Sequence, residues 1–358
     1  IYCMNFSTSI LKWYNLNRRD LPWRMNQDPY FVWLSEIILQ QTRISQGTSY
    51  YLKFVDKYPN IKSLASASEN DILLLWQGLG YYSRARNLLK TAKHIVNKLD
   101  GAFPDNYNDL LKLPGIGQYT ASAIASICFN ERRAVVDGNV FRVISRIYGI
   151  EKPINTSGGK KYFIDFAQKL IPKKFCGDYN QGIMDFGSLI CKPKSPLCQD
   201  CVLSSKCYAR KTNNIQYLPI KLKHSTPETT HFNYIVNINS NYMTSLNKIE
   251  DGIWKKLFQF PKVESKAELN KHDLLSNKKI NKLINLSNGE IKLFNSKPLI
   301  HKLSHKIIHA KFWIFLNQNP TVNSINFSEI KKYPVPKLIQ KFLDDFNYKT
   351  FLKTFSYK

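Results

Sequence analysis

The stretch Cys191-Lys192-Pro193-Lys194-Ser195-Pro196-Leu197-Cys198-Gln199-Asp200-Cys201-Val202-Leu203-Ser204-Ser205-Lys206-Cys207 gathers four cysteines into one short loop, spaced x6, x2 and x5. Four thiolates so close can hold an iron–sulfur cubane, because thiolate is the preferred ligand of such centres. They can equally hold one zinc ion tetrahedrally. The spacing points to a metal and leaves these two open. The other cysteines are Cys3, Cys128 and Cys176. Cys176 lies near the loop and reads most simply as a buried or spare thiol. Ile1 to Ile10 shows no basic segment leading into an apolar core, so no signal peptide is expected. A cytoplasmic setting is expected, where a metal site is favoured over a disulfide framework.

The chain has 358 residues, 43% of them hydrophobic, which suits two folded domains. No apolar run approaches the ~18 residues needed to span a bilayer, so no membrane partner is expected. The net charge of +26 suggests a polyanion such as nucleic acid, whose counterions are released on binding. Part of that charge reads as drift toward lysine in an AT-biased genome, because no arginine follows Arg210 while lysine stays abundant.

Upstream of the cysteines the chain reads as helical. Asp28-Pro29 predicts a helix start, with Asp as cap and Pro in the first turn. Phe31, Leu34, Ile38 and Gln41 then recur near the helical period, widened by Ile37 and Ile44, while Glu36 and Gln40 share another face. Residues 69–76, 84–98 and 118–129 are predicted helices, the last rich in small residues that permit close packing. Leu113-Pro114-Gly115-Ile116-Gly117 precedes it. The two glycines let the backbone approach an anion, and the free N–H groups of the following helix suit one phosphate. Val136-Asp137-Gly138-Asn139-Val140 puts an acid on a turn between apolar segments, which is most often only a cap. Glu36 sits in an otherwise apolar stretch, where a carboxylate is costly unless paired or functional. After Arg210 the character changes. Lys211 to Thr230 reads as a linker, and from His231 shorter alternating segments such as 232–238 and 311–316 suggest a mixed sheet-and-helix domain.

These motifs together resemble the endonuclease III and MutY superfamily, and within it the MutY adenine glycosylases. Leu21-Pro22-Trp23-Arg24, Ser35-Glu36-Ile37-Ile38-Leu39-Gln40-Gln41-Thr42 and Gly78-Leu79-Gly80-Tyr81-Tyr82-Ser83-Arg84-Ala85-Arg86-Asn87-Leu88 carry the likeness, strongly up to Arg210 and loosely beyond. The resemblance implies a mainly α helix–hairpin–helix region over 1–210, with a barrel at 28–133 and a cluster subdomain from 1–27 and 134–210. A linker at 211–230 and an α+β Nudix-like domain at 231–358 follow. It implies one [4Fe-4S] cluster on Cys191, Cys198, Cys201 and Cys207, with Lys192, Lys194 and Lys206 presented to DNA. Gly115 and Gly117 form the hairpin. Gln41 and Tyr81, with Leu79 and Thr42 beside them, wedge into the duplex, since a base must be unstacked before chemistry; Arg24 is counted among the DNA contacts. Gly252 to Pro261 resembles a C-terminal segment of the family. No Arg-Glu-x-x-Glu-Glu box is found, so that domain is expected to be non-catalytic. Leu303-Ser304-His305 stands where the family has Phe-Ser-His, the loop that reads 8-oxoguanine.

The implied activity is hydrolysis of adenine mispaired with 8-oxoguanine or guanine in double-stranded DNA, by a monomer. Glu36 is the general acid toward adenine N7, and Asp137 stabilises the cationic sugar. Tyr119 and Asn139 orient them. The superfamily's lyases have a lysine where this chain has Tyr119, and a tyrosine cannot form their Schiff base. The alternatives are an endonuclease III-like lyase, a non-catalytic lesion-binding relative and a zinc-stabilised architectural DNA binder.

Overall fold

The computed structural model describes residues 2–222, 226–278, 280, 289–303, 305–317 and 324–355. They form two compact units: residues 1–67 with 87–223, and residues 68–86 with 224–358. None of the described helices is long and apolar enough to cross a membrane.

The first unit is helical. Its elements are α1 (Tyr2–Asn17), α2 (Pro29–Leu39), α3 (Ile44–Lys57) and α4 (Ile61–Ala65), then, past α5 (Glu69–Leu75) of the second unit, α6 (Ser83–Lys98) and α7 (Tyr107–Leu110). There follow α8 (Gln118–Phe129), α9 (Gly138–Tyr148), α10 (Ser157–Leu170), α11 (Cys176–Leu189) and α12 (Tyr208–Lys211). Helix α2 starts as predicted, with the Asp28 carboxylate accepting from Tyr30 N at 2.8 Å and Pro29 in the first turn. It ends at Leu39, so Gln41, grouped with the apolar stripe by periodicity, lies beyond it in the left-handed region at φ 54°. The predicted helix over 118–129 is observed. Its small residues Ala121, Ser122, Ala123, Ala125 and Ser126 are buried, and α2 and α11 pack against it.

Helix α11 is the hub of this unit and touches α1, α8 and α9. Three of its glycines make that possible. A Cβ on Gly177 would sit 2.8 Å from Ile127 Cα and from the Ser126 carbonyl, both backbone of α8. One on Gly182 would meet Tyr14 and Ile10 of α1 at 3.0 and 3.2 Å, and one on Gly187 would meet Asn139 Cβ of α9 at 2.6 Å. Residues 211–222, read from sequence as the start of a linker, pack onto this unit instead. Leu218 is buried, its carbonyl accepts from Arg146 Nε at 3.0 Å, and Ile154 N donates to Ile220 O at 3.0 Å. Apolar residues spaced among the polar ones are the reason: Ile215, Leu218 and Ile220 join the core formed by α1, α9, α10 and α11.

The second unit is a mixed sheet with helices. Its strands are β1 (Glu228–Asn239), β2 (Met243–Thr244), β3 (Asn247–Lys248), β4 (Phe258–Gln259) and β5 (Lys262–Ser265). After α13 (Lys271–Leu275) come β6 (Gly289–Leu293), β7 (Leu299–Lys302), β8 (Lys306–Asn317) and β9 (Ile325–Asn326), then α14 (Lys337–Asp345) and α15 (Tyr348–Leu352). The main sheet runs β5-β1-β8-β6, with β7 also on β8. Strands β1 and β8 are parallel and in register from Glu228 opposite Lys306 to Asn239 opposite Asn317. They are longer than the alternating segments read from sequence, and β1 is buried continuously from Phe232 to Asn239. A central parallel pair covered on both faces loses the alternation that marks a half-exposed strand. One face carries Ile235, Trp313, Phe315 and Leu274; on the other, Phe312 stacks between Tyr234 and Phe342 with centroids 4.9 and 4.1 Å apart. The segment Ser68–Arg86 is tied to this unit: Val335 N donates to Gln77 Oε1 at 3.2 Å, and Arg86 Nη1 to Lys255 O at 2.8 Å.

Gly177→Ala should destabilise the protein by about 1–3 kcal/mol, because backbone cannot yield to the added methyl. Gly182→Ala should be close to neutral, since helix propensity gains up to about 1 kcal/mol and offsets a milder contact. Urea denaturation of both variants measures the difference.

Candidate active site

A cleft of about 1170 Å³ opens in the helical unit, and Glu36, Tyr119, Asp137 and Asn139 all line it. They come from three places in the sequence. Glu36 projects from the middle of α2, Tyr119 from the first turn of α8, and Asp137 and Asn139 from the start of α9.

The Glu36 carboxyl is pushed up to about 7. Burial is the main cause, and nearby Asp137 adds to it, while the Tyr119 hydrogen bond and the Arg24 charge pull the other way. Tyr119 donates to Glu36 and its oxygen lies 3.4 Å from Met184 Sδ. Burial, the Glu36 and Asp137 charges and that hydrogen bond hold the phenol well above its ordinary range, so it remains a donor. No lysine lines the cleft among the described residues.

Asp137 is the N-cap of α9, and its Oδ1 accepts from Asn139 N and Val140 N, both at 2.8 Å. Asn139 Nδ2 donates to Asp137 Oδ2 at 2.7 Å. Burial raises its pKa, and these hydrogen bonds and Arg142 draw it back down. The cap and the candidate catalytic acid are thus one residue. Farther along the same face of α9, Arg142 donates to Asn139 Oδ1 at 2.8 Å and to Cys191 O at 2.6 Å. Arg146 donates toward Cys191 Sγ at 3.5 Å and to Lys192 O at 2.8 Å.

Cys191, Cys198, Cys201 and Cys207 all line one small cavity, walled by Ile147, Phe186, Ile190 and Leu197. Among the described residues no three His, Cys, Asp or Glu side chains converge closely enough to grip a single ion. The four thiols thus share one lining, and their chemistry suits a thiolate-held metal centre. Cys176 is buried and does not line this cavity, while Lys194 and Lys206 are exposed on the loop.

The remaining candidates fall in different settings. Gly115 and Gly117 are exposed on either side of buried Ile116. Gly115 has φ 74° and leaves no room for a Cβ, which would lie 2.5 Å from Asn87 Cβ. Gly117 caps α8 without any side-chain cap, leaving first-turn amides open to an anion. Gln41 is exposed, and Tyr81 is 55% exposed with φ 48°. Leu79, in contrast, is buried. Thr42 lines the cleft. Arg24 does not reach out from the surface: its guanidinium lies in the cleft wall, bidentate on Asp185 at 2.7 and 3.0 Å. His305 is exposed in the short connection between β7 and β8, whereas Ser304 lies outside the described residues.

Arg19, Gln181 and Asp185 also line the cleft, Arg142 supports it from behind through Asn139, and Arg146 holds the cysteine loop. Sequence reading missed all five. Signals existed: Asp185 is an acid within the apolar run Ile183-Met184-Asp185-Phe186, the same cue that singled out Glu36, and Asn139, Arg142 and Arg146 recur at helical spacing.

Residues 34–173 match the HhH-GPD superfamily base excision DNA repair protein family. The adenine DNA glycosylase of Buchnera aphidicola subsp. Acyrthosiphon pisum is 37% identical over 351 residues, spanning 95% of this chain and 97% of that one. The adenine DNA glycosylase of Rattus norvegicus is 41% identical over 215 residues, 58% of this chain and 42% of that one. Among solved structures, a thermostable thymine-DNA glycosylase superposes with a TM-score of 0.54 at 33% identity, covering 59% of this chain and 97% of that one. The first of these relatives spans both units, and the chain therefore belongs to the adenine DNA glycosylase family within the HhH-GPD superfamily.

Proposed function

We propose that this protein is a monofunctional glycosylase that hydrolyses the N-glycosidic bond of adenine mispaired with 8-oxoguanine or guanine in duplex DNA. The observation that carries this reading is the cleft itself: a carboxyl poised near neutrality at Glu36, a second acid at Asp137, and a tyrosine in place of an amine nucleophile. Adenine leaves poorly until protonated. Glu36, protonated below about pH 7, gives its proton to N7 of the flipped base. Asp137 faces the cationic sugar that forms as the bond breaks, and contrasting environments for two carboxyls are the usual logic of glycoside hydrolysis. Tyr119 steers the Glu36 carboxyl, and Asn139 holds Asp137 through two hydrogen bonds.

The hairpin amides at Gly115–Gly117 bind one phosphate, and Gln41 and Tyr81 enter the stack as wedges; their exposure and left-handed backbone support that role. The four loop cysteines hold one [4Fe-4S] cluster, which supplies a rigid, basic DNA-docking loop bearing Lys192, Lys194 and Lys206 rather than bond cleavage. The second unit is a Nudix-like lesion reader. Its central parallel strands flanked by helices support that assignment, and Ser304 and His305 are its candidate contacts. The protein works as a monomer in the cytoplasm, where thiols stay reduced, in keeping with the free cysteines it carries.

Single-turnover adenine release from a duplex pairing adenine with 8-oxoguanine, compared with guanine or thymine opposite, tests the substrate. Glu36→Gln should lose about 100- to 10,000-fold in rate while still binding the lesion; unchanged release would overturn the assignment. The acid form is present below pH 7 and lost above it, so wild-type rate should fall about tenfold per pH unit on the alkaline side. Asp137→Asn should abolish release yet change stability by under about 0.5 kcal/mol, because Asn caps a helix as well as Asp, whereas Asp137→Ala should cost about 1 kcal/mol. Iron and acid-labile sulfide, at about four of each per chain with visible absorption, are expected; one zinc and no colour would refute the cluster.

A further inference from the structure

Asp185 is a carboxylate with no role in the reading above, yet it sits in the wall of the same cleft. Its side chain is fully buried. Both oxygens are filled by guanidinium donors: Oδ1 accepts from Arg19 Nε at 3.1 Å and Arg24 Nη2 at 3.0 Å, and Oδ2 from Arg24 Nη1 at 2.7 Å. Arg24 is also held over the Tyr14 ring at 5.6 Å, and its buried Nε–H has no acceptor among the described residues. Buried pairs of this kind lose heavily in desolvation and contribute little net stability. A cation buried beside an acid that must keep its proton calls for a counter-charge.

We propose that Asp185 is a positioning and charge-balancing residue for Glu36: it pins Arg24 and Arg19 in the cleft wall and neutralises them, so that their charge does not draw the proton from Glu36. This rests on the role given to Glu36 above. The groups facing Glu36 are Tyr119 and Cys128 on α8, Asp137 at the head of α9 and Arg24 in the turn before α2, with Arg19, Arg43 and Asp185 elsewhere around the cleft. Arg24 is the cation that pulls Glu36 down. Despite burial, the hydrogen bonds and charges of Arg24 and Arg19 hold Asp185 below the usual carboxylate range, so it stays ionised wherever Glu36 titrates.

The test is the pH profile of single-turnover adenine release by the full, cluster-loaded chain. In Asp185→Asn the alkaline limb should move to lower pH by about one unit, giving about tenfold less rate at pH 8 with convergence on wild type near about pH 5. Asp185→Glu, which keeps the charge, should keep the limb. If Asp185→Asn does not fold, Arg24→Met decides: removing the cation should move the limb to higher pH, and an unmoved limb overturns the proposal. A uniform loss of rate at every pH in Asp185→Asn, with Glu36→Gln inactive, overturns this inference alone. Full activity in Glu36→Gln removes the role of Glu36 and this inference with it.

Discussion

The Glu36 carboxyl is held away from bulk water by the apolar surroundings of α2, with a tyrosine hydroxyl donating to it and a second acid nearby. Desolvation there outweighs the donors and the cation that favour ionisation, and a carboxyl poised near neutrality results. The surrounding structure answers to that constraint. A polar group this close to the core is tolerated only if its neighbours are placed with little freedom, and each of them is anchored by backbone: Tyr119 in the first turn of α8, Asp137 as the cap of α9, Arg24 in a short turn closed by Arg24 N donating to Leu21 O at 2.8 Å.

Helix α9 carries much of that anchoring. Its N-terminal end presents Asp137 and Asn139 to the cleft, and one face of it offers Arg142 and Arg146 to the cysteine loop. The arginines donate to carbonyls of residues 191 to 193, so the loop's backbone is bonded to the same helix that holds the candidate acid. Helix α11 passes alongside, and its glycines set how closely α8, α1 and α9 approach it. Close packing leaves little slack for the side chains at the cleft. The chain's glycosylase chemistry and its cysteine loop are thus mechanically parts of one helical framework.

The surface residues obey a different logic. Gln41 and Tyr81 both adopt left-handed backbone that costs a non-glycine residue about 1 kcal/mol or more. Neither gains burial in return, since both point to solvent. Tyr81 follows a loop braced from within: Trp76 Nε1 donates to Gly80 O at 3.0 Å, and Arg84 donates to the same carbonyl at 3.2 Å. Leu79, two residues earlier in the same loop, is buried.

Much of this was legible in the sequence by itself. Periodicity and cap chemistry located α2 and α8, because both act over a few neighbouring residues. The odd chemistry of Glu36, the glycines of the hairpin and the four cysteines stood out because each violates or exploits a local rule. Other features were not local. Whether residues 211–222 hang free or pack depends on Arg146 and Ile154, which are distant in sequence. The continuous burial of β1 depends on a parallel partner over 70 residues away and on helices covering both faces, so alternation could not reveal it. The pairing of Arg24 with Asp185, 161 residues on, was likewise out of view. The sequence alone determined which residues can titrate, bend or ligate; the tertiary structure decided which charges meet, because an ionisable group takes its behaviour from its neighbours in space.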